Sequence, residues 1–145
     1  MLSEKNLKTL LLALMPKQFP GYTFAQDVKA GAWKIPLLGT AQTPERILRQ
    51  AFIQVETETN FVKENIEAHT FILGNLAKKG FLKKGDAYWV VHGGEVLPEV
   101  EQYAKDSGIT IKDRKWLIAM VTKHKADKAV KYVIQTLEAA NSWNP

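Results

Sequence analysis

The stretch that most restricts the fold is AYWVVHGG, residues 87–94, a continuous apolar run closed by a glycine pair. An unbroken run of this kind reads as a strand covered on both faces. LPEVEQYAKDSG follows, with proline near its first turn and glycine at its end, which are helix start and stop signals. ITI, residues 109–111, then reads as a second short buried strand. Strand, helix and strand in one sheet require a parallel crossover, right-handed almost without exception. The chain is therefore expected to be an α/β protein.

Its 145 residues fit a single domain, 1–145, with enough chain to bury a core without disulfides or structural metal. Leu7, Leu10, Leu11, Leu14 and Met15 recur at helical spacing behind Ser3, a candidate N-cap, and predict an amphipathic helix over residues 4–15 whose end Pro16 and Pro20-Gly21 mark. YTFAQDV and AWKIPLL, separated by KAG, suit the two strands of a hairpin, and Pro36 places the second at an edge or near a strand end. Residues 44–56 support two readings, and a short helix or turn from 44 followed by a strand over about 50–58 satisfies most of both. Thr43-Pro44-Glu45 is a helix start, and Ile47, Leu48, Ala51, Phe52 and Val55 keep helical spacing. FIQVETET alternates, with Ile53 and Val55 on one face and Gln54, Glu56 and Glu58 on the other, as a strand would.

Val62, Ile66, His69, Leu73 and Leu76 form a stripe that predicts a helix from Asn60 to Lys79, after which Gly80 and Gly85 bracket a turn. RKWLIAMVTKH and DKAVKYVIQTLEAANSW read as two closing amphipathic helices, so a C-terminal helical extension at 114–142 follows a core at 4–117. No internal repeat or low-complexity linker is visible.

Net charge is +5, and residues 112–131 alone carry that excess. Lys112, Arg114 and Lys115, then Lys123, Lys125, Lys128 and Lys131, face only Asp113 and Asp127 there. A basic cluster of this density is the electrostatic footprint of a polyanion partner, so these seven are the candidate nucleic-acid-binding residues. Lys78, Lys79, Lys83 and Lys84 form a second cluster. Lysine-rich loops also serve solubility alone, which is the blander reading of both.

With no cysteine, disulfides, thiolate metal sites and thiol catalysis are excluded, and the composition suits a reducing, cytoplasmic interior. His69, His92 and His124 are too far apart for a local zinc motif. The apolar run LLLALM is too short to span a bilayer and is flanked by charge, so no membrane partner is expected. His69, on the apolar stripe of its helix, and His92, after the buried strand, are expected to serve packing or turn hydrogen bonds. Trp33, Trp89 and Trp116 are expected in the core, with Trp143 exposed or against a neighbour.

The element order, with a third strand at FIQVETET, resembles the αβββαβ core of the PD-(D/E)XK superfamily, the restriction-endonuclease-like fold. The segment AYWVVHGGEVLPEVEQYAKDSGITIKDRKWLIAMV is similar to the closing unit of Mrr-type restriction endonucleases. An apolar strand ends in Gly93, a helix carries Tyr103 and Ala104, Gly108 stops it, and Ile109, Ile111, Asp113 and Leu117 follow.

The resemblance implies a mixed sheet flanked by helices and DNA as partner, alone or within a homo-oligomer or larger protein assembly. It also implies an Mg2+-dependent endonuclease whose metal would be held by carboxylates sharing a strand face. Glu56 and Glu58 stand at the third-strand position as a Glu-x-Glu variant, Asp27 is the only upstream aspartate, and Lys63 would replace the missing strand lysine. Asp27, Glu56, Glu58 and Lys63 are thus the candidate catalytic residues, the first three the candidate metal ligands. Asp27 falls on the first strand, however, and Lys34 occupies the place of the second-strand acid. A second register aligns Gln54 and Glu56 with Glu-x-Lys, leaving an amide and a reversed charge. The alternative is therefore a catalytically inactive homologue, serving DNA binding or protein assembly.

Overall fold

The computed structural model describes residues 2–145. The helix α1 (Glu4–Gln18) is followed by three strands, β1 (Thr23–Ala30), β2 (Trp33–Gln42) and β3 (Leu48–Glu56). The helix α2 (Lys63–Lys78) leads to β4 (Ala87–His92), and α3 (Pro98–Asp106) to β5 (Thr110–Lys112). The helices α4 (Arg114–His124) and α5 (Lys128–Ala139) end the fold. The strands form one five-stranded sheet in sequence order. β1 to β3 pair antiparallel as a meander, and β3 to β5 pair parallel through the α2 and α3 crossovers.

Helices cover both faces, which makes three layers. Ile53 and Val91 point to the first face and pack with Leu7, Leu10 and Leu14 of α1, Leu117 of α4 and Val130 of α5. Phe52, Tyr88 and Val90 point to the other and pack with Ile66 and Leu76 of α2 and Val100 and Ala104 of α3. β3 and β4 are thus sandwiched, which explains the unbroken apolar run of β4.

The ambiguity over residues 44–56 resolves as a turn followed by a strand from Leu48. β3 sits between β2 and β4 and bonds to both, and its two apolar faces are used by different helix layers. A segment apolar on both faces satisfies helical and alternating templates alike, so only the ladder partners decide it. Residues 44–47 form a turn into β3, closed by Thr43 N–H donating to the Ile47 carbonyl at 2.9 Å. Pro16 does not end α1, which runs to Gln18: it lies in the last turn, where the bond lost is the one a backbone N–H would give to the Leu12 carbonyl. Trp143 is buried against the α1 side of the core, not exposed.

The β1–β2 hairpin changes faces midway. Ile35 packs with the α2-side cluster, yet Leu37, two residues on, packs with the α1-side cluster. The switch falls at Pro36, which lies opposite Asp27; pairing continues on either side in one register but skips these two. Proline has no ladder donor to offer, and Asp27 takes φ 53°, a left-handed conformation that aspartate tolerates better than most residues.

Candidate functional site

At the end of β3, Gln54 and Glu56 share the face toward α2, as alternation requires. Glu56 Oε1 accepts a hydrogen bond from His69 Nε2 of α2 at 2.7 Å, and His69 Nδ1 lies 2.8 Å from the Tyr88 hydroxyl of β4. Gln54 Nε2 donates to that same hydroxyl at 3.1 Å. One directional chain satisfies all four groups: amide to phenol oxygen, phenol O–H to Nδ1, Nε2–H to carboxylate. Burial pushes the Tyr88 phenol well above its ordinary pKa; the Gln54 donor opposes this and the charge of Glu56 adds to it. The His69 side chain is 7% exposed and that of Glu56 20%, while Gln54 is partly buried, so the imidazole and the phenol form the buried centre of the network.

A second buried imidazole lies alongside. Glu56 and His92 are register partners across β3 and β4. Gly94 N–H donates to His92 Nδ1 at 2.8 Å, so the ring proton sits on Nε2 and is donated to the Glu58 carbonyl at 2.7 Å. Glu58 lies beyond the strand end, and its carboxylate accepts from Asn65 Nδ2 at 3.1 Å. Asn65 Oδ1 in turn accepts from Val62 N–H, the N-cap of α2, at 2.8 Å. Glu58 therefore braces the start of α2.

Asp27 stands apart. Its carboxylate takes both its oxygens to Lys8 Nζ of α1, at 2.9 and 3.0 Å. It lines an α1-side hollow with Lys34, Pro36 and Val55, whereas Glu56 projects through the opposite face of the sheet. Lys63, the first residue of α2, places its ammonium 5.5 Å from the centre of the Tyr103 ring of α3. The structure thus joins Glu56 to His69 and Glu58 to Asn65, and leaves Asp27 with Lys8. Among the described residues no three His, Cys, Asp or Glu side chains are gathered to hold a metal ion. The expected Asp27, Glu56 and Glu58 ligand set is not brought together: the hairpin switch sends Asp27 to the other face, and the strand ends before Glu58. Magnesium is held by oxygen ligands, and here one oxygen of the Glu56 carboxylate is taken by His69 while the Glu58 carboxylate accepts from Asn65.

The basic residues form two groups separated by the length of α4, about 16 Å at 1.5 Å per residue. At its start, Lys112 Nζ sits 5.4 Å over the Trp89 ring, Arg114 donates to the Asn144 carbonyl, and Lys115 is exposed. At its end, Lys123 donates to Gln18 Oε1 at 3.0 Å, while Lys125, Lys128 and Lys131 are exposed. Asp127 caps α5 and pairs with Lys17 at 3.1 Å; bonds from Val130 N–H and from Lys17 hold its carboxyl below the usual range.

Charge is gathered in patches. Residues 107–145 carry seven cations against three acids, and α1 three against one. Residues 56–67 and 93–106, around Glu56 and α3, hold eight acids against Lys63 and Lys105.

Tyr88 had no place among the candidate residues. The available signal was a tyrosine inside an otherwise apolar buried strand, whose hydroxyl must find a partner.

Comparison with known proteins shows likeness in structure only. No protein-family model and no curated protein sequence matches the chain. The chain resembles the structure of MspJI restriction endonuclease in complex with a 27-mer oligonucleotide, with TM-score 0.61 and 11% identity, covering 92% of this chain and 31% of that one. It also aligns with the DNA modification-dependent restriction endonuclease AspBHI, with TM-score 0.43 and 8% identity, covering 98% and 41%. This chain thus corresponds to 31% of the length of the MspJI chain. Together with the mixed five-stranded sheet and its flanking helices, the likeness to MspJI shows a restriction-endonuclease-like α/β fold.

Proposed function

We propose that the chain is a nucleic-acid-binding domain, with DNA as its partner, that holds the phosphate backbone on the α4 and α5 side and has no assembled hydrolytic site. The observation that carries this reading is the charge at the starts of α4 and α5. Each begins with an aspartate cap followed by cations, and neither has an acid in its first turn. The helix macrodipole favours acids at that end, by about 0.3–1 kcal/mol each, so Arg114, Lys115, Lys128 and Lys131 are placed against stability. A phosphate backbone met by these ends reverses that balance. The acids around Glu56 and α3 repel a phosphate backbone from that part of the α2 and α3 layer.

Electrophoretic retardation of duplex DNA in the presence of a metal chelator tests the reading. Binding that persists is the expected result; binding that requires a divalent ion would contradict it.

A second reading, a magnesium-dependent endonuclease, is favoured by the likeness in fold to a restriction endonuclease. It requires Glu56 to leave His69 and a further carboxylate to come from outside this cluster. Cleavage of supercoiled plasmid with magnesium, abolished in Glu56→Ala, would select it over the binding reading.

A further inference from the structure

The second lysine cluster lies on the other layer of the protein and has no part in the surface described above. Lys78 ends α2, Lys79 caps it, and Lys83 and Lys84 lie in the loop to β4, all exposed. Asp86 is the one acid between Glu67 and Glu95. It is used internally, accepting from Gln50 N–H, Gln50 Nε2 and Lys83 N–H at 2.9–3.0 Å. The four ammonium groups therefore have no carboxylate partner among the described ion pairs.

Three aromatic rings share this surface. Phe71 of α2 is 67% exposed and meets Trp33 edge to face, with centroids 6.2 Å apart. The Trp33 indole N–H donates to Asn75 Oδ1, one turn along α2, at 3.1 Å. Phe81 is 38% exposed and lies against the hairpin tip: a Cβ added at Gly31 would meet its ring at 3.1 Å and the Lys79 stem at 3.9 Å. The hairpin tip, the last turns of α2 and the following loop are thus one continuous surface.

Fold stability explains part of this arrangement. Cations at a helix C-terminus interact well with its dipole, which accounts for Lys78 and Lys79. It accounts neither for Lys83 and Lys84 nor for Phe71, most of whose ring gains nothing from burial. We propose that this surface binds unpaired bases of a nucleic-acid strand, which stack on Phe71 and Trp33 while Lys78, Lys79, Lys83 and Lys84 hold the adjacent phosphates. Stacking on rings flanked by cations is the general mode of single-strand recognition, and a duplex hides the base faces it needs. The proposal rests on the reading of the chain as a nucleic-acid binder, and adds to it a second contact surface and a preference for unpaired strand.

Fluorescence anisotropy of a labelled oligothymidylate and of a duplex of equal length tests it on the full chain. Phe71→Ala is expected to weaken oligothymidylate binding about tenfold and duplex binding far less. Lys78→Gln with Lys79→Gln should weaken both. Tryptophan quenching by the oligomer should largely disappear in Trp33→Phe. Phe71 is exposed, so unchanged circular dichroism in its variant establishes that folding is intact. If both variants bind like the parent while Lys128→Gln with Lys131→Gln loses affinity, this surface is overturned and the general reading stands. Absence of any binding by the parent overturns both. A Phe71→Ala chain that loses self-association in sedimentation, with oligomer binding unchanged, overturns this proposal in favour of a protein contact.

Discussion

His69 Nε2 lies 2.7 Å from Glu56 Oε1 while its Nδ1 lies 2.8 Å from the Tyr88 hydroxyl, so one imidazole joins β3, β4 and α2. A helix crossing a sheet needs no such link to pack, but a buried imidazole beside a buried phenol must find hydrogen-bond partners. Glu56 therefore acts as a partly buried hydrogen-bond acceptor at the edge of the core.

Removing the imidazole leaves the Tyr88 hydroxyl and Glu56 without their shared partner. His69→Ala is expected to lose about 1–3 kcal/mol in urea denaturation. Glu56→Gln keeps an acceptor oxygen for Nε2–H and should lose about 1 kcal/mol or less. Equal stability of His69→Ala and the parent would show that the network does not hold the layers together.

Tyr88 makes stability depend on alkaline pH. Its phenol is raised in the fold, above all by burial, so the folded hydroxyl keeps its proton where an unfolded tyrosine ionises, near about pH 10. The stabilisation is complete below that value and is lost as pH rises beyond it. Tyr88→Phe should be less stable than the parent at neutral pH, by about 1–2 kcal/mol, and should fall less steeply above pH 10. Parallel stability curves for the two chains would contradict the assignment.

At Asp27 the expectation turns on backbone geometry, not on a metal. Its ion pair with Lys8 is partly exposed and contributes about 1 kcal/mol or less, and asparagine also tolerates φ 53°. Asp27→Asn should therefore change thermal stability little. Asp27→Val, β-branched in a left-handed conformation, should lose roughly 1–2 kcal/mol more. Indistinguishable melting of the two variants would remove strain at the hairpin switch from the account.

Asp127 ties stability to acid. Val130 N–H and Lys17 hold its carboxyl low, so its contribution is present at neutral pH and is lost as pH falls below the ordinary carboxylate range. Asp127→Ala should melt lower than the parent at pH 7, and the gap should narrow on acidification. A gap independent of pH would mean that the charge contributes nothing.

Much of the fold is legible in the sequence because its signals are local. The run AYWVVH, the proline and glycine around α3, and ITI specify the parallel unit without reference to the rest of the chain. β3 was ambiguous because Phe52 and Ile53 serve opposite layers, which erases the difference between the two periodicities. The candidate site was less legible. Gln54 and Glu56 do share a face, but where Asp27 points is decided by the switch opposite Pro36, and strand alternation carries no record of it. The partners of His69 lie 13 and 19 residues away on two strands, beyond the reach of helical spacing. Trp143 looked like a free end because its burial depends on how α5 returns to α1.

DNA affinity is proposed to reside on the α4 and α5 surface. Anisotropy titration of a labelled duplex across a salt series, with the parent and with Lys125→Gln, Lys128→Gln and Lys131→Gln combined, addresses it directly. Affinity of the parent should fall steeply with salt, and the combined variant should bind more weakly with a log–log salt slope smaller by about 2–3, one unit of about 0.9 for each lost phosphate contact. Equal affinity and equal slope for the two chains would contradict the claim.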